Sequence, residues 1–345
     1  MATRSAVVLT VVSIALAAAI FYHFNFRLVP YMQPLMDSCG LAGPPKGTPR
    51  PFFKLGNAFL DGLHCLITPF FLDCVGQPAG RFWVLQTLAT ATPVVSLLAV
   101  EESRSSARGL VRCVFLVLVV AQLLGVSVAL PALWLPCYLL LSKHRVEGAF
   151  LPAGKVPAIA AQAAMATAVT LPLVYATRFP EAAQPPLIAG FNLAVPCLAL
   201  LWTLAPGGAR PGNAAAAGAL RFVALIGFAA HALSVVDLFV LSHGGDADSA
   251  RRELAAVAAN ASADVMPANF MMYDFLGVLG SALIFVLAEE GLAGAGAFLG
   301  LSLLAGPGAA FGLACARREA RLAAGAAKAP LPCGAPAVAA AAKRD

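Results

Sequence analysis

The residues of this chain best suited to chemistry are acids that stand inside or at the end of long apolar runs. Glu101 and Glu102 end the run 82–100, and Asp274 lies near the start of the run 269–288. A carboxyl group inside a bilayer is costly and usually faces the interior of a helix bundle or a wet cavity. Burial favours the protonated form of a carboxyl, which makes such a group a potential proton donor. These acids are therefore suited to general-acid chemistry.

Aromatic and methionine side chains surround Asp274 in the sequence. Phe270 lies one helical turn before it, and Tyr273 and Phe275 flank it directly. An apolar cavity with aromatic faces and one acid suits a cationic intermediate, because the faces of aromatic rings attract cations. The same aromatics also fit plain helix packing or a belt at the membrane interface.

Other polar residues have two interpretations each. Arg104 is three residues from Glu101 and either orients it at the helix end or forms a solvated ion pair with it. Asp61 is either part of a site or a solvated acid near a helix end. Gln86 and Gln122 lie within apolar runs, where amides either contact a ligand or join neighbouring helices.

The amino-acid composition of the chain indicates which kind of secondary structure carries these residues. The 345 residues are 60% hydrophobic and 12% charged, whereas soluble domains average about 25% charged residues. A water-soluble surface cannot be built from so few charges. We predict an all-α protein, a polytopic transmembrane helix bundle of about eight or nine spans.

Nine apolar runs define the predicted organisation. Residues 1–26 form an N-terminal span, either an anchor or a signal peptide, 27–315 form the bundle, and 316–345 form a low-complexity cytosolic tail without structure. Gly296 and Gly300 have the spacing that lets helices approach closely. The runs are 6–22, 57–75, 82–100, 110–141, 156–177, 187–204, 219–241, 269–288 and 291–315. The long run 110–141 is expected to end or kink at Pro131 and Pro136.

Counting these spans predicts the orientation of the loops. Segments 101–112 and 242–267 fall on one side, together with most of the 23 Lys and Arg residues, and we expect that side to be cytosolic. The Asn260 sequon would then stay unglycosylated. The same count brings four acids to a similar depth in the bundle: Asp61, Glu101, Asp237 and Asp274.

The eight cysteines are scattered and form no metal-binding spacing. We expect neither a disulfide nor a metal site, and no cofactor. The expected partners are the lipid bilayer and a hydrophobic small molecule; no nucleic-acid patch is indicated, and the sequence names no protein partner.

Several motifs follow one another along the chain: Leu60-Asp61-Gly62-Leu63, Thr68-Pro69-Phe70-Phe71-Leu72-Asp73, Gln86 before Glu101-Glu102-Ser103-Arg104, Gln122 before Leu130-Pro131, and Met272-Tyr273-Asp274. Their order resembles the membrane-bound terpene cyclases of fungal meroterpenoid pathways, the ascofuranone type. Ser105 and Ser106 stand where that family usually has Gly-Asn, and Met272 stands where Gln is usual.

This resemblance implies an isomerase that cyclises a prenylated or epoxyprenyl substrate in the endoplasmic reticulum membrane. It implies that Glu101 and Asp274 transfer protons in one shared pocket, so that Glu101→Gln and Asp274→Asn would each abolish product. It also implies that Arg104 orients Glu101. The residues expected to contact substrate are Arg104, Asp61, Gln86, Gln122, Phe270 and Tyr273.

Two other functions fit the same sequence. A transporter or channel would use the buried acids for ion or proton coupling, with helices broken at prolines such as Pro93 and Pro196. A non-catalytic membrane protein would keep the acids merely at the interface. A closed apolar pocket holding the acids favours the cyclase, whereas a polar path through the bilayer favours the transporter.

Overall fold

The computed structural model describes residues 4–41, 43–142, 151–207 and 212–328, and this part of the chain is helical. Long apolar runs form helices because lipid offers no partner for a free backbone N–H or C=O. The helices are α1 Arg4–Arg27, α2 Val29–Ser38, α3 Ala58–Val75, α4 Pro78–Glu102, α5 Val114–Leu124, α6 Val126–Ser142, α7 Val156–Val174, α8 Gln184–Leu204, α9 Asn213–Ser242, α10 Ala247–Ala259, α11 Met266–Ala305 and α12 Pro307–Lys328.

Seven of these helices are long and apolar enough to cross a bilayer: α1, α3, α4, α7, α8, α9 and α11. The chain is therefore a multi-pass integral membrane protein, and the predicted all-α helix bundle is confirmed. Helix α4 is the most buried of the seven and packs against α7, α9, α11 and α12. Its 25 residues extend about 37 Å, more than the roughly 30 Å of hydrocarbon in a bilayer.

Helices α5 and α6 form a hairpin that enters the bundle and returns to the end from which it started. The chain turns at Gly125, whose φ of 89° ends α5. The two outer ends meet where the Arg108 N–H donates to Ser142 Oγ at 3.2 Å. The single predicted span 110–141 is therefore wrong, because the chain breaks at Gly125, whereas Pro131 and Pro136 lie inside α6.

The hairpin reverses the predicted orientation of α7, α8, α9 and the first part of α11. Arg81, in the first turn of α4, bonds Asp237 at 2.9 Å, and the nearby Ala79 N–H donates to Glu253 at 2.8 Å. Segment 242–267 therefore lies at the start of α4, whereas segment 101–112 follows its end. The predictions of one shared side, and of one depth for Asp237 and Glu101, are wrong because the hairpin adds no crossing.

The last two runs of the sequence form helices with different boundaries from those predicted. Helix α11 bends at Gly291 and ends before Gly306, whose φ of 84° separates it from α12. Helix α12 then continues to Lys328, and Arg318 and Glu319 on it are buried. The predicted structureless tail therefore does not begin at 316, and residues 329–345 lie outside the described residues.

Two further predictions about packing are corrected by the structure. Cys39 and Cys65 form a disulfide, with their Cα atoms 5.9 Å apart, because α2 folds back beside α3. Gly296 and Gly300 have open space around them. The close approach of helices occurs at Gly308 instead, where a methyl group would lie 2.1 Å from the Ala89 carbonyl oxygen of α4.

Candidate functional site

A cavity of about 450 Å³ lies within the bundle between α1, α2, α3, α4, α5, α8 and α11. Its wall is largely apolar and includes the rings of Phe24, Phe70 and Phe270. Asp274 is the one acid in the described lining, and no described lining residue is Lys or Arg. The cavity therefore suits an apolar, neutral molecule that meets a single carboxyl group.

Asp274 is held by the hairpin of α5 and α6. It is 6% exposed, and its Oδ1 accepts hydrogen bonds from the Ser127 N–H at 3.1 Å and from Ser127 Oγ at 2.5 Å. Among the described residues no hydrogen bond reaches Oδ2. Ser127 thus occupies one oxygen of the carboxyl, and the other is available to a molecule in the cavity.

The aromatic residues beside Asp274 divide between the cavity and its outer wall. Phe270 stacks on Phe24 with ring centroids 4.0 Å apart and meets the edge of Phe70 at 5.1 Å. Tyr273 does not line the cavity; it stacks on His23 at 3.5 Å. The rings of the first group can stabilise a cation in the cavity, whereas Tyr273 packs α11 against α1.

The two glutamines have different surroundings. Gln122, near the end of α5, lines the cavity. Gln86 does not line it, and its amide bonds His231 Nδ1 at 2.9 Å and donates to Ser234 Oγ at 2.7 Å. Gln86 therefore joins α4 to α9, as the second interpretation of the sequence held.

Asp61 also lies away from the described cavity lining. It stands in the first turn of α3, and its Oδ1 accepts the Leu55 N–H at 2.6 Å. This contact fixes the chain that leads into α3, with Asn57 capping the helix. The described contact of Asp61 is therefore local and lies at the start of α3.

Glu101 belongs to a buried ion network at the end of α4 and does not line the cavity. Arg104 Nε and Arg318 Nη1 each donate to Glu101 Oε1 at 2.8 Å. Arg104 also pairs with Glu319, and Arg318 donates to Glu289 at 2.7 Å. The network connects α4, α11 and α12, so the expectation that Glu101 and Asp274 share one pocket does not match the structure.

The charges of this network stabilise one another. Burial disfavours the charged form of Arg104, but the carboxylates of Glu101 and Glu319 outweigh that effect and raise the pKa of its guanidinium. Tyr138 adds a neutral contact, because its hydroxyl donates to Glu289 at 3.0 Å and accepts from Arg318 at 2.7 Å. The charges of three helices are thus paired with one another, whereas Arg104 Nη1 is buried without a described hydrogen-bond partner.

Sequence reasoning missed Ser127, Arg318 and Glu319. A signal for the last two exists, since the buried residues Phe311, Cys315 and Arg318 recur at helical spacing through the Ala-rich stretch. No local signal marks Ser127, which is 147 residues from its partner. Among the described residues, no group of three or more His, Cys, Asp or Glu side chains is arranged to hold a metal ion.

Comparison of the chain with protein-family models, with characterised proteins and with solved structures finds no match.

Proposed function

We propose that this protein is an intramembrane isomerase of the terpene cyclase kind, in which Asp274 protonates a neutral prenylated or epoxyprenyl substrate. The observation that carries the proposal is a single buried carboxyl in an apolar cavity walled by phenyl rings. A proton donor and cation-stabilising faces are what a protonation-initiated cyclisation requires.

The lining of the cavity supports a neutral substrate. A diphosphate or carboxylate group would need a cationic partner, and no Lys or Arg belongs to the described lining. The volume of about 450 Å³ falls within the roughly 300–1,000 Å³ of small-molecule sites. An extended prenyl chain would make apolar contacts along this wall.

The proposed reaction conserves every atom of the substrate. The O–H bond of protonated Asp274 breaks, its electron pair stays on the carboxylate, and the proton goes to the epoxide oxygen or the terminal alkene carbon. In the epoxide, one C–O bond then breaks and its electron pair goes to the new hydroxyl oxygen. The π electrons of the next double bond form a ring bond to the cationic carbon, and the positive charge moves along the chain. Loss of a C–H proton to the Asp274 carboxylate yields an isomer of the substrate and restores the acid.

The proposal assigns the initiating proton to Asp274 and none to Glu101. The resemblance noted from the sequence implied both residues, but two guanidinium groups contact Glu101 Oε1 and no contact joins Glu101 to the described cavity. Gln122, Phe270 and Phe24 are the proposed contacts to substrate.

The test is production of the protein in membranes of a host that lacks such an enzyme, with a panel of neutral epoxyprenyl and prenyl aromatics. Wild-type protein is expected to give a product of unchanged mass and altered retention. Asp274→Asn is expected to lower the rate about 10²- to 10⁴-fold, the usual contribution of a general acid. It keeps an oxygen for Ser127, so protein levels should hold.

Asp61→Asn is the matched control, since it makes the same chemical change outside the cavity. It should leave turnover intact. An Asp274→Asn protein that is as active as Asp61→Asn, or a wild-type protein inactive on the whole panel, contradicts the proposal. Microscopy of the tagged full chain would test the endoplasmic reticulum location that we propose with this activity.

The buried network around Glu101 supports a second candidate, a proton-coupled transporter. Intramembrane Glu and Arg residues that pair with one another occur in proton relays, and Glu289 and Arg318 have this arrangement. Flux of protons into vesicles holding wild-type protein, abolished by Glu289→Gln, would favour transport over cyclisation. Absence of both activities would leave a non-catalytic membrane protein.

A further inference from the structure

Two glycines allow Ser127 to reach Asp274. Gly125 has a φ of 89° and lies so close that a methyl group on it would be 3.1 Å from Asp274 Oδ1. Gly277 is nearly one turn after Asp274 on α11, and a methyl group there would lie 2.4 Å from the Ser127 Cβ. Larger residues at either position would separate α6 from α11, because the two backbones are nearly in contact.

The two hydrogen bonds from Ser127 make the oxygens of Asp274 unequal. Oδ1 accepts both the N–H and the hydroxyl of Ser127, so it acts as the carbonyl oxygen of a protonated carboxyl. A proton on Oδ1 would compete with these two donors for its lone pairs. The proton of Asp274 therefore belongs on Oδ2, the oxygen without a described partner.

We infer that Ser127 is a positioning residue, which fixes the rotation of the Asp274 carboxyl so that the Oδ2 proton faces the cavity. This inference rests on the proposed function, since it gives Asp274 the donor role. Ser127 does not line the described cavity and need not touch substrate. It acts only through the carboxyl that it holds.

A purely structural role for the same contact is the competing explanation. The Ser127 N–H lies in the first turn of α6, where backbone N–H groups lack partners within the helix, and a carboxyl from another helix can cap them. If the Asp274 carboxyl only caps α6, the hydrogen bond from the backbone N–H of Ser127 matters more than the bond from its hydroxyl. Removal of the hydroxyl alone therefore separates the two roles.

The kinetic test compares Ser127→Ala with Ser281→Ala. Ser281 is a buried serine on α11 whose hydroxyl, among the described residues, bonds only the Gly277 carbonyl of its own helix, at 2.8 Å. Ser127→Ala is expected to lower kcat about 10- to 100-fold, the effect of a misdirected reacting group, with KM nearly unchanged. Ser127→Cys keeps the volume with a weak donor and should behave like Ser127→Ala. Ser281→Ala should match wild type.

A vibrational measurement tests the same inference without any substrate. The infrared band of the Asp274 carboxyl is assigned in the purified full chain by its loss in Asp274→Asn. This band should shift in Ser127→Ala, because an oxygen that loses a hydrogen bond changes its stretching frequency, and should stay in place in Ser281→Ala. An unmoved band in Ser127→Ala overturns the inference. A shifted band in a protein that cyclises no substrate overturns the proposed function while the contact itself stands.

Discussion

At the scale of single residues, Asp274 and Glu101 have different environments, although the sequence predicted the same role for both. Asp274 has one neutral partner, Ser127, and faces an apolar cavity. Glu101 has two guanidinium partners and no described contact with the cavity. A carboxyl can release a proton to a ligand only where the ligand can reach it. Local sequence identified both acids, but only their partners distinguish a proton donor from a structural charge.

Glu101→Gln is therefore expected to lower stability and not turnover per folded molecule. The neutral amide removes the charge from the Oε1 atom that both Arg104 and Arg318 contact. Glu319 still pairs with both guanidinium groups. Two hydrogen bonds between charged groups become bonds to a neutral oxygen, which we expect to cost about 1.5–3 kcal/mol of unfolding free energy. The measurement is denaturant unfolding in detergent, paired with activity normalised to folded protein.

Asp248→Asn is the control for this substitution. Asp248 pairs with Arg251 at the surface, where both side chains are about three-quarters exposed, and its loss should change stability by about 0.5 kcal/mol or less. Equal stability of the two variants would show that the Glu101 network does not hold the helices together.

At the scale of elements, close packing depends on where glycines meet a neighbouring backbone. The spacing of Gly296 and Gly300 has the form of a packing motif, but both face open space. Gly308 lies against Ala89 of α4 and near Gly227 of α9. Spacing along one helix shows which glycines share a face, whereas the partner that covers the face comes from elsewhere in the chain.

Gly308→Ala and Gly300→Ala should therefore change stability in opposite directions. The methyl group on residue 308 overlaps the α4 backbone, which we expect to cost about 1–3 kcal/mol. The methyl group on residue 300 meets nothing, and replacing glycine inside a helix gains up to about 1 kcal/mol. Thermal unfolding of the two variants in the same detergent measures the difference. Two shifts of the same sign would contradict the observed packing of α12 on α4.

At the scale of the whole molecule, the hairpin of α5 and α6 decides which loops share a side of the membrane. It enters beside the end of α4, turns at Gly125 next to Asp274, and returns. A count of hydrophobic runs treats the apolar residues of this hairpin as one membrane crossing. The side on which segment 242–267 lies therefore depends on a turn that hydropathy does not detect.

Cysteines introduced at Ser105 and Ser262 should be labelled from opposite sides of the membrane. Both positions are exposed and lie beyond opposite ends of α4. The experiment uses a membrane-impermeant maleimide on oriented vesicles, with the exposed Cys113 and Cys197, and also Cys333, first replaced by Ala. Asp248→Cys, an exposed site between α9 and α11, should report the same side as residue 262. Labelling of residues 105 and 262 from one side would restore the orientation derived from the sequence.

The sequence by itself determined the class of protein, the helical elements and the rare acids worth attention. These follow from local properties, because lipid accepts only apolar helices and makes each buried charge costly. The tertiary structure decided that Asp274 faces a cavity with Gln122 and Phe270, that Glu101 joins Arg104 and Arg318, and that Ser127 holds Asp274. Each of these depends on contacts between distant parts of the chain, set by one turn at Gly125 and by which helix covers which, and no local pattern encodes them.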